Sequence, residues 1–404
     1  RVGDLVRERT VTPVAGRLPE AQRVEAQHPD ALAGQLLADS AGRGTVLAQC
    51  EPVYEDPPPA ALALWVVDEA RQGGSTAAGE RDALCHAHHP VTAHAGTTHI
   101  RRIATVDSRE DPLRSGAGAE TATQELPGIV DRLEAAGVDS LWFSEVVYSQ
   151  AVDPFIGMAF ALSRTTELKV GTSVAVLPGR QPVLVAKQLA SLASLAPKRV
   201  LPVFGLRSAL PAERGLFAVP AGRRGAVFDE ALTVLRAALD PDVKEPFAFQ
   251  GTYHDVRDVQ ILPKPATPLD IWLGGASAAG YRRVGTHGDG WLGSFLTPEE
   301  TAAARNQIVA AAGEAGRSIP ADHYGINLAV GTGTLPGAVA DSVRRRRPDL
   351  HPTELVAEDW RALHAQLDGY LAAGLTKFVI RPAGPVDMPR FLDRFVRELL
   401  PRQN

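Results

Sequence analysis

Residues 168–206 read LKVGTSVAVLPGRQPVLVAKQLASLASLAPKRVLPVFGL, and this stretch decides the fold. LKVGTSVAVL is an almost unbroken apolar run rich in valine, the pattern of a strand buried on both faces. PVLVAKQLASLASLAP begins with a proline where the first helical position belongs and continues as a helix. RVLPVFGL is a second apolar strand. A strand, a helix and a strand in succession form a βαβ unit, whose two strands run parallel.

Outward from this unit the alternation continues in both directions. Upstream, QELPGIVDRLEAAG (124–137) spaces Ile129, Val130, Leu133 and Ala136 as a helix does and ends on Gly137, a C′ glycine. DSLWFSEV (139–146) is a short buried strand. DPFIGMAFALSRT (153–165) is a helix with Asp153 as N-cap and Pro154 behind it. Downstream, helices are expected at 225–239, 277–288, 297–316, 361–374 and 387–400, with Thr297 and Pro298 opening the third of these. Strands are expected at DIWLGG (270–275), GWLGSF (290–295), YGINLAVGTG (324–333) and TKFVIRPAG (376–384). That gives seven strands. HIRRIATV (99–106), interrupted by two arginines, is the candidate for an eighth. The pattern predicts a (β/α)8 TIM barrel. A doubly wound open sheet is the alternative, but its GxGxxG turn is missing.

Two insertions break the alternation. RSALPAERGLFAVPAGRR (207–224) is a long loop after strand four, and FAFQGTYHDVRDVQILPKP (247–265) reads as a β-hairpin excursion. Insertions at one end of a barrel often cover a site. The RRRR run at 344–347 reads as a solvated basic linker before Pro348.

The chain has 404 residues and a net charge of -5. An acidic balance argues against a general nucleic-acid binder. No apolar run is long enough for a membrane helix, and RVGDLVRERT resembles no secretory leader. Two cysteines, Cys50 and Cys85, make no disulfide framework. A cytoplasmic protein is expected. Residues 1–98 hold only two aromatics, Tyr54 and Trp65, and the first phenylalanine is Phe143. That stretch has little bulky apolar material for a core. It reads as an N-terminal extension, irregular or artefactual, ahead of a barrel domain at 99–404. Its histidine cluster, Cys85, His86, His88, His89, His94 and His99, matches no standard zinc spacing, so no metal site is expected.

Barrel sites form at the C-terminal ends of strands. Ser144 and Glu145 end strand two, GGAS (274–277) ends strand five, and Arg381 ends strand eight. GGAS before a short helix suits a phosphate, because glycines let backbone N–H groups approach an anion at a helix N-terminus. No GxSxG, HExxH or Walker loop is present. A phosphate cradle without an acid–base constellation suggests that a cofactor supplies the chemistry. His287 sits at a helix end, where a capping role and a functional one are equally open.

LPGIVDRLEAAGVDSLWFSE (126–145), LKVGTSVAVLPGRQPVLVAKQLASL (168–192), PLDIWLGG (268–275) and RRVGTHGDGWLGSF (282–295) follow one another in the order and spacing of a known family. Over residues 120–400 the chain resembles the bacterial luciferase-like monooxygenase superfamily. Within it the chain is most similar to the actinobacterial oxidoreductases that use coenzyme F-420, a deazaflavin. The resemblance implies a luciferase-like TIM barrel with a flavin or deazaflavin at the C-terminal mouth, and often a homodimer. It implies a non-prolyl cis peptide in strand three, here Ser173–Val174, behind the cofactor ring. It implies a phosphate site at Gly274, Gly275, Ala276 and Ser277 with Gly290 nearby, and backbone contacts from the turn at Gly205. Arg207 in that turn would contact the phosphate or block it.

The implied activity is F-420-dependent hydride transfer to or from a small organic substrate. An FMN-dependent monooxygenase is the alternative, and a non-catalytic flavin-binding protein with a degenerate site is a third reading. An alcohol substrate would need a general base. Glu145 at the strand-two rim and Glu213 in the loop after strand four are the nominated acids, though surface placement is the plainer reading of Glu213. The sequence departs from the sugar-phosphate dehydrogenase branch in lacking a histidine after strand two, where it reads WFSEVVYS (142–149). The usually glycine-rich turn after strand four reads FGLRSA (204–209).

Overall fold

Eight parallel strand positions close on themselves in the computed structural model, which describes residues 102–107, 119–384 and 386–403. In chain order the elements are β1 (Arg102–Asp107), α1 (Ala119–Ala136), β2 (Ser140–Phe143), α2 (Pro154–Arg164), β3 (Lys169–Thr172), β4 (Ala175–Val176), α3 (Pro182–Leu195), β5 (Val200–Leu201) and β6 (Val203–Gly205). Then come α4 (Arg224–Leu239), the β7–β8 hairpin (Phe247–Gln250 and Asp255–Val259), β9 (Trp272–Gly274), α5 (Ala278–His287), β10 (Gly290–Ser294), α6 (Pro298–Glu314) and β11 (Tyr324–Val330). The chain ends through α7 (Gly337–Arg346), α8 (Pro352–Leu355), β12 (Val356–Ala357), α9 (Trp360–Ala372), β13 (Lys377–Pro382) and α10 (Met388–Leu399).

The third barrel strand is β3 and β4, broken at a bulge. The fourth is β5 and β6, broken at Pro202, which has no N–H for the ladder. Because β3 pairs with β5 and β4 with β6, the ring has no open edge. The expected eighth strand forms as β1, pairing parallel with β13 (Arg102↔Lys377 to Thr105↔Ile380) and with β2. A ladder is made by backbone groups, so two arginines in the run do not prevent it. The TIM barrel expected from the sequence is the fold observed. Residues 1–98, the proposed extension, and the histidine cluster through His99 lie outside the described residues.

The local signals act as the sequence predicts. Asp153 caps α2, accepting from the N–H groups of Phe155 at 2.9 Å and Ile156 at 3.2 Å. Thr297 and Glu300 form a capping box at α6. The helices bury Leu133, Met158, Leu189, Leu232, Ile308, Leu367 and Phe395 against the outer face of the barrel. A smaller inner cluster of Trp142, Val174, Val203, Trp272, Leu292 and Val379 fills its centre.

The basic run at 344–347 departs from the solvated-linker reading. Arg344 to Arg346 form the last turn of α7, and Arg347 is its C-cap. Arg347 bridges Glu300 and Asp349 and donates to the Phe295 carbonyl at 2.7 Å. Its guanidinium fork ties the excursion after β11 to the loop after β10, a geometry that lysine does not offer.

Candidate active site

The site is built at the C-terminal mouth, and strand three shapes it. The Ser173–Val174 peptide is cis, as the resemblance implied. Hydrogen bonds hold both sides of this turn. The Ser173 N–H donates to the Phe143 carbonyl at 2.8 Å, and the Ser144 hydroxyl donates to the Ser173 carbonyl at 2.7 Å. The Ser173 hydroxyl crosses the barrel to the Asn327 Oδ1 at 2.8 Å. The Asn327 amide nitrogen donates to the Ser294 hydroxyl at 3.0 Å. Asn327 is a site-building residue that the sequence reading passed over. Its only signal was one amide inside the apolar run YGINLAV.

Val174 turns its side chain into the inner cluster, and two glycines make room for it. A Cβ on Gly205 would lie 2.5 Å from Val174 Cγ2, and one on Gly274 would lie 3.2 Å from Cγ1. Beyond Gly274 the cradle is partly open to solvent through Ser277. Gly275 has φ +142°, a conformation that L side chains rarely adopt. Its carbonyl accepts from Trp291 Nε1 at 2.9 Å, and the Ser277 hydroxyl caps α5 by accepting from Gly280 N–H at 3.1 Å. Gly274, Gly275, Ala276 and Ser277 therefore come together where the sequence placed them.

Gly290 does not join them. It starts β10 in register with Trp272, while Gly274 pairs with Leu292 two residues further up. A Cβ at 290 would fall inside the Trp272 indole. Packing at the lower end of the barrel, not a phosphate, explains this glycine. His287 likewise ends α5 at the helix terminus away from the cradle.

The two nominated acids are both buried. Glu145 accepts from Val176 N–H at 2.7 Å through Oε2 and pairs with Arg180 through Oε1. Burial pushes its carboxyl above the ordinary range, opposed by the Arg180 charge and the Val176 hydrogen bond. Arg180 also donates to the Val176 carbonyl and packs over the Phe155 and Phe217 rings. Glu213 is fully buried, which overturns the surface reading. It accepts from Tyr148 N–H at 2.7 Å and from the Ser208 hydroxyl at 2.6 Å. Those two donors make a buried carboxylate tenable and bind the loop after strand four to the loop after strand two.

Arg207 is half-buried in the loop after strand four. It and Arg214 lie close enough to Arg224 that their charges depress the Arg224 pKa, added to the larger effect of burial. Arg224 donates to the Phe217 carbonyl at 2.9 Å, and its Nη1 is buried with no hydrogen-bond partner. Among the described residues no group of acids, histidines and cysteines is placed to hold a metal ion. No helix there is long and apolar enough to cross a membrane.

Residues 104–370 match the model of the luciferase-like monooxygenase family. The chain belongs to this family. It is 31% identical over 194 residues to an uncharacterized protein of Mycobacterium tuberculosis; the match spans 48% of the chain but 63% of that relative's length. It is 25% identical over 338 residues to a protein of Kineococcus radiotolerans named F-420-dependent glucose-6-phosphate dehydrogenase, covering 73% of the chain and 98% of the relative. Among solved structures, an F-420-dependent secondary alcohol dehydrogenase superposes with a TM-score of 0.62 at 18% identity, covering 75% of this chain and 99% of the other. The coenzyme F-420-dependent tetrahydromethanopterin reductase of Methanopyrus kandleri superposes with a TM-score of 0.57 at 15% identity, covering 76% and 100%. At such identities the superpositions establish the shared fold.

Proposed function

We propose that this chain is an oxidoreductase that uses coenzyme F-420 to move a hydride to or from a small organic substrate. One observation supports the reading most. An open glycine cradle, Gly274 to Ser277, adjoins a wall in which Val174 occupies the space that Gly205 and Gly274 leave. A flat ring would lie against that wall with its phosphate in the cradle. The buried Nη1 of Arg224, without a partner, also suits an anionic ligand. The name carried by the relative that is 25% identical agrees with a deazaflavin.

A bound deazaflavin would supply a carbon that gives or takes hydride. The chain would do the rest by placement. Gly275 and Ser277, with the first-turn N–H groups of α5, would hold the phosphate, and Arg207 would add positive charge beside it. Ser173 and Val174 would back the ring. We assign Glu145 and Glu213 as positioning residues, because their carboxylate oxygens are already engaged: Glu145 holds the strand-three turn and Glu213 the loop over the mouth. Exposed Ile156 on α2, with Leu184 and Leu195 on α3, supports a homodimer through these helices.

Equilibrium dialysis of the purified chain against F-420 and FMN in parallel tests the cofactor. Saturable binding of F-420, with FMN at least tenfold weaker, is expected. Preference for FMN would replace this reading with the monooxygenase one. Binding of neither would favour a degenerate site.

A further inference from the structure

Strand eight aims a cation into the mouth of the barrel. Side chains alternate between the two faces of a strand. On β13, Phe378 and Ile380 pack outward with the helices. Val379 belongs to the inner cluster, and the Lys377 ammonium lies over the inner rings of Trp142 and Trp272. Arg381 keeps the parity of Lys377 and Val379, so it faces the barrel interior. It stands in register with Ala329 of β11, one layer above the level at which Val379 pairs with Asn327. Only 7% of it is exposed.

The surroundings of Arg381 suit a small ligand. In the ring of strands, strand eight lies opposite strand four, so Arg381 looks across the mouth toward Gly205 and the Val174 wall. Between them the interior is open as far down as Asn327. That residue is partly exposed, although Tyr324 to Ile326 and Leu328 to Val330 on the same strand are buried. Ser294 and Gly274 are likewise partly exposed. The excursion after β11 covers this side of the mouth. Its Leu335, Val339 and Val343 pack with Phe295 and with Ala329 and Ala383, the neighbours of Arg381 in register and in sequence. A cover that keeps water away strengthens a charge–charge contact beneath it.

We infer that Arg381 is a specificity residue that holds a carboxylate of the substrate, fixing a small carbonyl or hydroxy acid between strand eight and the ring against the Val174 wall. The inference rests on the F-420 reading and names the substrate class for it. A guanidinium has five donors in a fixed fork that matches a planar carboxylate. Five donors are enough to serve a neighbour in the protein and a ligand at once. The charge of one arginine balances a carboxylate, whereas a phosphate dianion would call for more.

The test is calorimetric titration of the chain, both free and saturated with F-420. The probes are the straight-chain 2-oxo acids from pyruvate to 2-oxohexanoate, each beside its uncharged 2-oxo amide. In wild type at least one acid is expected to bind about tenfold more tightly than its amide. Arg381→Gln should abolish that preference by weakening the acid and sparing the amide. Arg381→Lys should keep part of it, because an ammonium supplies the charge without the fork. A wild type in which no acid outbinds its amide overturns this inference, whether or not the variants fold. An Arg381→Gln variant that keeps the preference, or that weakens acid and amide alike, overturns it too. Failure of F-420 to bind overturns the cofactor reading instead, and titration of the free chain then decides the role of Arg381 by the same criterion.

Discussion

The two ends of this barrel use the same residue for opposite purposes. At the lower end Gly171 and Gly290 make room for the indoles of Trp142 and Trp272, and the Lys377 ammonium lies over both rings, 5.9 and 4.9 Å from their centres. That end is filled. At the upper end Gly205 and Gly274 make room only for the branched tip of Val174, and the strands end in Ser144, Ser173, Ser294 and the open cradle. That end is hollow. A strand glycine is therefore not a site marker by itself. What it faces decides whether it closes a core or opens a pocket.

The sharpest way to break this contrast is to add one methyl at each end. Gly290→Ala drives a Cβ into the Trp272 ring and should cost at least about 3 kcal/mol, since an indole in a packed barrel has nowhere to go. The expected outcome in thermal melts is a steep loss of stability or of soluble protein, with cofactor affinity kept by whatever folds. Gly205→Ala, which strikes a smaller and more mobile side chain, should cost about 1–2 kcal/mol. It should weaken cofactor binding by about tenfold by displacing Val174. If the two variants exchanged these phenotypes, the division between the aromatic-filled end and the hydroxyl-lined end would be wrong.

A third prediction concerns the pH response of the upper end. The Glu145 carboxyl is raised from 4.5 by burial. An acid with a higher pKa folded than unfolded supports the fold while protonated. That contribution is whole below about 4.5 and is lost as pH climbs through the raised value. Wild type should therefore lose stability relative to Glu145→Gln across that window in urea melts between about pH 4 and about pH 7. Parallel curves would show that Arg180 and the Val176 N–H fully offset the burial. The smallest effect is expected from deleting residues 1–98, whose composition offers little to a core. The melting temperature of the remaining chain should move by no more than about 2 °C, the shift of about 1 kcal/mol in a domain of this size. A large drop would mean that the segment packs on the barrel.

The fold was legible because its signals are local. Valine-rich runs, proline-led helices and capping residues such as Asp153 and Thr297 each specify their element without help from elsewhere. The weak strand β1 was legible only by counting, since seven strands left one place to fill. The cradle was legible because GGAS carries its chemistry in four consecutive residues. What escaped is long-range. Asn327 meets Ser173 across the barrel, 154 positions apart. Glu213 is buried only because Tyr148 and Ser208 supply donors, and no local pattern announces that. Gly290 was misplaced because the sequence shows a glycine near a strand but not which end of the strand faces the ligand.

The indole of Trp291 has a consequence for spectroscopy. Its Nε1–H is bonded to the Gly275 carbonyl, in the segment proposed to grip phosphate. Trp142 and Trp272 are locked with Lys377 at the opposite end. Emission from the described tryptophans should thus divide into a constant background from Trp142, Trp272 and Trp360 and a responsive component from Trp291. Removing Trp291 alone, as Trp291→Phe, would leave a protein that still fluoresces but no longer changes colour or intensity when its ligand arrives.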